Sequence, residues 1–318
     1  MVTAAGLKRR LSRTPFSYLD GRIAFGSRWL RIAAAAALVA SVAIVVGGGV
    51  VRVTGSGLGC PGWPACANGS LAPTPEMGIH AVVEFVNRLL TSAVCAVVGV
   101  LIVVARFQRE PRPQVTRWAW AQFWVVVLNA IVGGLTVLAR LNPYLVAAHF
   151  LAATLLLAAA TVTWDFTTRD RSEQTLSNAE STSTQRRSAL VLLIATVALM
   201  IMGTAVTGAG PHAGDSSDVQ RMAFDWAMVA WIHAVLAVAV VIAAVIVWRS
   251  SSPGTGLRTR ATWVLVVLAA QMGVGVAQSA TSLPNALVVT HMLVAALAFI
   301  GAIRVFLVTL SVRGQNVG

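Results

Sequence analysis

Charge is scarce in this sequence. Only 11% of its 318 residues are Asp, Glu, Lys or Arg, against about 25% in a typical soluble domain. No segment shows the apolar/polar alternation of a membrane β-strand, which sets a barrel aside. No short apolar run with a small-residue cleavage site follows the basic N-terminus, so residues 1–28 read as a basic tail, not a cleaved signal peptide. No CxxC pair is present, and the three cysteines are Cys60, Cys66 and Cys95.

What the chain has in abundance is apolar length. Hydrophobic residues make up 57% of it and the mean hydropathy is +0.77. A spanning helix needs about 20 mostly apolar residues. Eight segments meet that length: Trp29–Val51, Ile79–Ala105, Trp118–Ala139, Pro143–Trp164, Ser188–Gly208, Ala223–Trp248, Thr259–Thr281 and Pro284–Leu310. The expected fold is an all-α polytopic membrane protein.

The net charge of +13 would suit a nucleic-acid partner, but its placement argues for topology instead. Arginines and lysines gather in the tail (Lys8, Arg9, Arg10, Arg13) and in the loops after helices 2, 4 and 6, where Arg106, Arg109, Arg112, Arg169, Arg171, Arg186, Arg187, Arg249 and Arg258 lie. The opposite side offers Arg52, Arg140 and Arg221. The positive-inside rule then puts both termini in the cytoplasm of a multi-pass cell-membrane protein, with no nucleic-acid role.

The chain also repeats itself. Val53-Thr54-Gly55-Ser56-Gly57 recurs as Val206-Thr207-Gly208-Ala209-Gly210, an offset of 153 that carries His80 onto His233. Asn129 to Gly133 matches Gln271 to Gly275, an offset of 142 that carries His149 onto His291. The expected architecture is two four-helix bundles related by internal duplication as parallel repeats. Residues 29–164 form the N-terminal half, 165–187 a polar cytoplasmic linker, 188–310 the C-terminal half and 311–318 a cytoplasmic tail.

Four histidines therefore sit in apolar helices, toward the outer side. A lone intramembrane histidine is as well explained by an interhelical hydrogen bond. Four of them, paired by a repeat, point to a metal, because intramembrane ionisable residues are costly and usually functional and neutral imidazole is a common haem ligand. Two imidazoles from neighbouring helices can clamp a haem iron between apolar walls. Zinc or copper fits less well, since no Cys, Asp or further His completes a tetrahedral set nearby. A proton path would not require pairing.

His80, Glu84 and Arg88 fall at i, i+4 and i+8 on one face of helix 2, with Asn87 beside them. Glu84 ahead of Arg88 is the favourable order for an ion pair. The pair is either structural, or it holds a carboxylate near a reacting centre. Cys60 and Cys66 bracket an outer loop on the oxidising side, where a disulfide staple is the default. Cys95 reads as a small buried apolar residue, and His212 as a surface or lid residue.

The stretch Val51 to Cys66 (VRVTGSGLGCPGWPAC) resembles the first outer loop of haem A synthases, in a bacterial, actinobacterial-like form. So do Glu84-x-x-Asn87-Arg88, Ala148-His149-Phe150, the Thr207 to His212 loop and the histidines of helices 6 and 8. The resemblance implies an oxidoreductase that converts a methyl group of haem O to a formyl group by successive hydroxylations and loss of water. The product, haem A, supplies aa3-type cytochrome oxidases. It implies a haem b cofactor ligated by His233 and His291, haem O as substrate on His149, Glu84 as the essential carboxylate, and a Cys60–Cys66 disulfide. Haem O synthase, a membrane electron acceptor and a second copy of the chain are the partners it allows. One departure stands out. Many members carry a histidine where this chain has Asn87, so His80 is the expected second ligand to substrate haem; otherwise that iron is five-coordinate. A b-type di-haem cytochrome that only transfers electrons would explain the histidines without giving Glu84 or the cysteine loop a task. A transporter would explain the duplication without any haem.

Overall fold

The computed structural model describes residues 24–67, 69–168, 181–212, 214–215 and 219–310. It contains eight long helices: α1 Ser27–Val53, α2 Gly78–Arg106, α3 Pro113–Leu138, α4 Pro143–Thr168, α5 Ser183–Ala209, α6 Trp226–Ser250, α7 Gly256–Ala280 and α8 Asn285–Val308. All eight are long and apolar enough to cross a membrane, and among the described residues only isolated β-bridges occur. Most of the basic tail (1–23), most of the expected linker (169–180) and the C-terminal tail (311–318) lie outside the described residues.

Several helices outrun their apolar segments because polar residues start them well. Pro113 and Pro143 each open a helix at the first position, where a missing N–H costs nothing. α5 begins at Ser183 behind a capping box, in which Thr182 Oγ1 accepts from Gln185 N at 3.2 Å and Gln185 Oε1 accepts from Thr182 N at 2.9 Å. Gln185 Nε2 also donates to Ser250 O at 2.7 Å, tying the start of α5 to the end of α6. α4 runs on to Thr168, so Asp165 belongs to a helix end.

Successive helices run antiparallel, which gives the molecule two ends. At the basic end the start of α1 meets the end of α2 (Phe25 N to Phe107 O, 2.8 Å), and Arg112 ahead of α3 reaches Phe166 O of α4. At the other end lie the disulfide loop between α1 and α2 and the loop between α5 and α6. The two halves meet through α1 and α4 against α5 and α8. There Leu157 and Val162 of α4 share a core with Phe299, Ile300 and Ile303 of α8.

Large side chains on the outward faces are exposed, Trp231 at 74% and Val276 at 70%. That is the pattern of a bundle whose solvent is hydrocarbon, in which exposed apolar surface costs nothing. Cys95 joins them. It is exposed on α2, so the expected burial is corrected: a small thiol is equally at home facing lipid.

Polar welds close the interface between the halves at both ends. At the basic end Asp165, 1% exposed, accepts from Arg260 Nη1 at 2.8 Å and from Arg304 Nε at 3.5 Å. At the other end Arg52 Nε donates to His212 O at 2.9 Å and Nη2 to Thr207 O at 2.6 Å. Gly57 N donates to Gly214 O at 2.8 Å, and Leu58 N to Asp215 Oδ2 at 2.9 Å. Each of these links crosses from one half to the other.

A local turn echoes the sequence repeat. Arg140 and Leu141, ahead of α4, have φ of 52° and 58°; Ser282 and Leu283, ahead of α8, have 61° and 59°. Leu141 N bonds Thr136 O at 2.9 Å, and Leu283 N bonds Gln278 O at 2.8 Å. Two successive left-handed non-glycine residues are uncommon. Their recurrence 142 residues apart, the spacing of His149 and His291, is what two copies of one unit would give.

Replacing Asp165 by Ala removes the buried carboxylate that Arg260 and Arg304 share across the interface. A loss of about 3 kcal/mol is expected from breaking such a pair, read as a lower thermal unfolding midpoint in detergent. An unchanged midpoint would show the inner weld to be dispensable.

Candidate functional site

A cavity of about 1230 Å3 opens inside the bundle and is lined by both halves. Its walls are mostly apolar. Among its lining residues are Glu84, Asn87, His149, His233, Gln271 and His291. The cavity thus gathers three of the four helix histidines and the helix 2 carboxylate. It does not gather His80, which is not among its lining residues.

His233 of α6 and His291 of α8 form a pair, their ring centroids 6.4 Å apart and their planes 52° apart. Each ring lies over a glycine of the helix beside it. A Cβ on Gly203 would come within 3.4 Å of His233 Cε1, and one on Gly275 within 3.4 Å of His291 Cε1. His149 of α4 lies tighter still, since a Cβ on Gly133 would sit 2.9 Å from its Cε1. These glycines leave room for imidazoles turned into the cavity, and neither length nor apolarity of the segments signals them. Nδ1 of His149 and of His291 are buried without a hydrogen-bond partner, as are Oδ1 of Asn87 and Oε1 of Gln271 and Gln278. All five residues line the cavity. Unpaired polar atoms in an apolar interior are costly, so their gathering around one cavity marks a ligand site.

Glu84 sits at the edge of this cavity, 5% exposed. Its Oε2 accepts from Cys60 N at 2.7 Å, and its Oε1 accepts from Arg88 Nε at 3.0 Å and Nη2 at 2.5 Å. Arg88 reaches onward to Gly62 O at 3.0 Å and Pro64 O at 3.3 Å. The helix 2 pair therefore clamps the loop closed by the Cys60–Cys66 disulfide. Trp63, at the tip of that loop, lies against Gly134 of α3 and lines the cavity. Sequence spacing found the ion pair; the loop carbonyls that Arg88 holds carry no sequence signal.

His80 is occupied elsewhere. Its Nδ1 is 3.0 Å from Ser56 Oγ, which is 2.9 Å from Thr54 Oγ1. Thr54 Oγ1 in turn donates to Val50 O at 2.7 Å. The chain of hydroxyls fastens the start of α2 to the end of α1. His212 pairs with Asn285 Oδ1 at 3.0 Å and lines the cavity, consistent with a lid. Arg52 lines the cavity too and ties His212 in place.

Residues 28–303 match the family model described as COX15-CtaA, cytochrome oxidase assembly protein. The chain belongs to that family. A relative named Heme A synthase from Lysinibacillus sphaericus is 34% identical over 128 residues, 39% of this chain and 40% of the relative. One of the same name from Geobacillus thermodenitrificans is 33% identical over 114 residues, 35% of this chain and 34% of the relative. A third, from Listeria welshimeri, is 28% identical over 124 residues, covering 39% and 40%. The aligned stretches thus span about two fifths or less of these curated relatives.

Arg88→Ala is expected to leave Glu84 held by Cys60 alone and to release the carbonyls of Gly62 and Pro64. Amide exchange across residues 60–66 should then rise about tenfold or more. Unchanged protection there would show that the disulfide alone orders the loop.

Proposed function

We propose that this protein is a haem A synthase, which oxidises a methyl group of haem O to a formyl group through successive hydroxylations and loss of water. The observation that carries the reading is the His233–His291 pair. Two neutral imidazoles facing one cavity are a common way to hold a metal, and their spacing would leave room for one between them. The observed spacing is 6.4 Å. Among the described residues no three His, Cys, Asp or Glu side chains converge, so the pair would suit a group that brings further donors of its own. An apolar cavity suits such a macrocycle.

In this reading His233 and His291 would hold a resident haem b, which would supply one-electron redox chemistry within the bilayer. Haem O enters the N-terminal half, with His149 toward its iron. Glu84, pinned by Cys60 N–H and Arg88, presents a fixed carboxylate at the cavity edge, where it can accept a proton or stabilise positive charge as the methyl carbon is oxidised. The apolar wall limits water around the substrate, and the Trp63 loop and His212 close the end. Turning a methyl group and one water into a formyl group releases four protons and four electrons; the electrons would pass to a membrane acceptor. The disulfide end faces the oxidising side of the cell membrane and the basic end the cytoplasm, as the charge bias and the disulfide support. The names of the relatives and the family description agree with this assignment.

The test is haem extraction from a haem-O-producing host supplied with this chain. Haem A should appear. Tightly held haem with no haem A would overturn the reading in favour of an electron-transferring cytochrome, and protein without Soret absorption in favour of a transporter. His233→Ala and His291→Ala should each lose the resident haem from the purified protein, and an unchanged spectrum would remove that residue as a ligand. Glu84→Ala should keep that haem and stop formyl production; normal haem A yield from it would take Glu84 out of the chemistry.

A further inference from the structure

The sequence offset pairs His80 with His233, but the helices pair His233 with Asn87. α1 and α5 are both 27 residues long, and Gly47 and Gly203 each stand six residues before the last. Gly203 faces His233 of α6. Gly47 faces Asn87 of α2, where an added Cβ would fall 2.8 Å from Asn87 Oδ1. Counted back from the far ends of their helices, His233 is 17 residues from Ser250, Asn87 is 19 from Arg106, and His80 is 26. In the other helix pair Gly133 faces His149 as Gly275 faces His291. The position that His233 holds opposite His291 thus has Asn87 as its counterpart opposite His149. Asn87 lines the cavity with a buried, unpartnered Oδ1, while His80 is bonded to Ser56 away from the lining.

Resting on the function proposed above, we infer that the haem site of the N-terminal half has one imidazole, His149, and an open coordination position facing the Asn87 amide, with His80 as a positioning residue of the α1–α2 corner. A primary amide is a poor iron ligand but a good hydrogen-bond partner, carrying both donor and acceptor. Set beside an open position, it would steady a small polar molecule bound there, as distal hydrogen-bond donors do in haem pockets. The two halves then hold the same macrocycle chemistry in different spin states: six-coordinate and closed on one side, five-coordinate and receptive on the other.

The experiment is a spectroscopic titration of the full-length purified holoprotein with ferric haem b, followed by cyanide and carbon monoxide. The resident haem should be low-spin and inert to both. A second equivalent should bind with a high-spin signal, take up cyanide when ferric and carbon monoxide when reduced, and be lost in His149→Ala. Asn87→His should turn that second signal low-spin and block both ligands. Asn87→Leu, a milder change, should keep it high-spin and weaken cyanide binding about tenfold through the lost hydrogen bond. His80→Ala should leave both spectra unchanged. A second haem that is low-spin in the unmodified protein, that opens only in His80→Ala, or that does not bind at all overturns the inference. None of these outcomes touches the haem-extraction result, so a protein that makes haem A with a six-coordinate second site would refute this assignment and leave the enzyme standing.

Discussion

In hydrocarbon a charged or hydrogen-bonding side chain persists only where the protein answers it, because no water is there to do so. Two groups stand out among the polar residues of this bundle. Glu84, Arg88, Arg52 and Asp165 are answered, each by groups on another segment, and they fasten one piece of the molecule to another. Asn87, Gln271, Gln278 and the Nδ1 atoms of His149 and His291 are buried without a partner. The first group makes the frame rigid; the second faces the cavity. The same physics that welds the halves together therefore marks where a polar ligand belongs.

The repeated sequence motifs go with a repeated local frame, and the two halves depart from one another in a few side chains. Matching left-handed turns set α4 and α8 on course so that His149 and His291 each lie eight residues beyond the second turn residue, Leu141 or Leu283. Glycines open the helix faces beside both. The divergence lies in α2. Where α6 carries an imidazole, α2 carries an amide, and it adds the Glu84–Arg88 clamp that holds the disulfide loop over the N-terminal side. Under the proposed function, one half would keep a haem and the other would work on one.

The eight helices were legible in the sequence because each hydrophobic run is long enough to have no competing reading. Their ends were less so: Pro113 and the Thr182–Gln185 box extend α3 and α5 through polar residues that no apolar window includes. The face shared by Glu84 and Arg88 followed from helical spacing, and the pairing of His149 with His291 from the repeat. The partner of His233 did not. The VTGSG and VTGAG motifs align at an offset of 153, whereas α1 and α5 end 156 residues apart. A slip of that size, close to one turn, is invisible in a string but decides which α2 side chain meets the cavity. Asp165 was hidden for a different reason. It stands where the sequence turns polar, and only its arginine partners on α7 and α8, 95 and 139 residues away, show it to be interior.

Those arginine partners, and the carbonyls that hold Arg52, join the two halves by contacts other than the chain that links them. The polar contacts that join them lie at opposite ends of the bundle and come from α1 and the loop after it, α4, α5 and the loop after it, α7 and α8, with an apolar seam between α4 and α8. A gene cut between α4 and α5 would encode two polypeptides that still carry every one of those contacts. Seen this way the chain is a heterodimer whose subunits happen to be translated together, and each was free to change its own chemistry so long as its mating surface was kept.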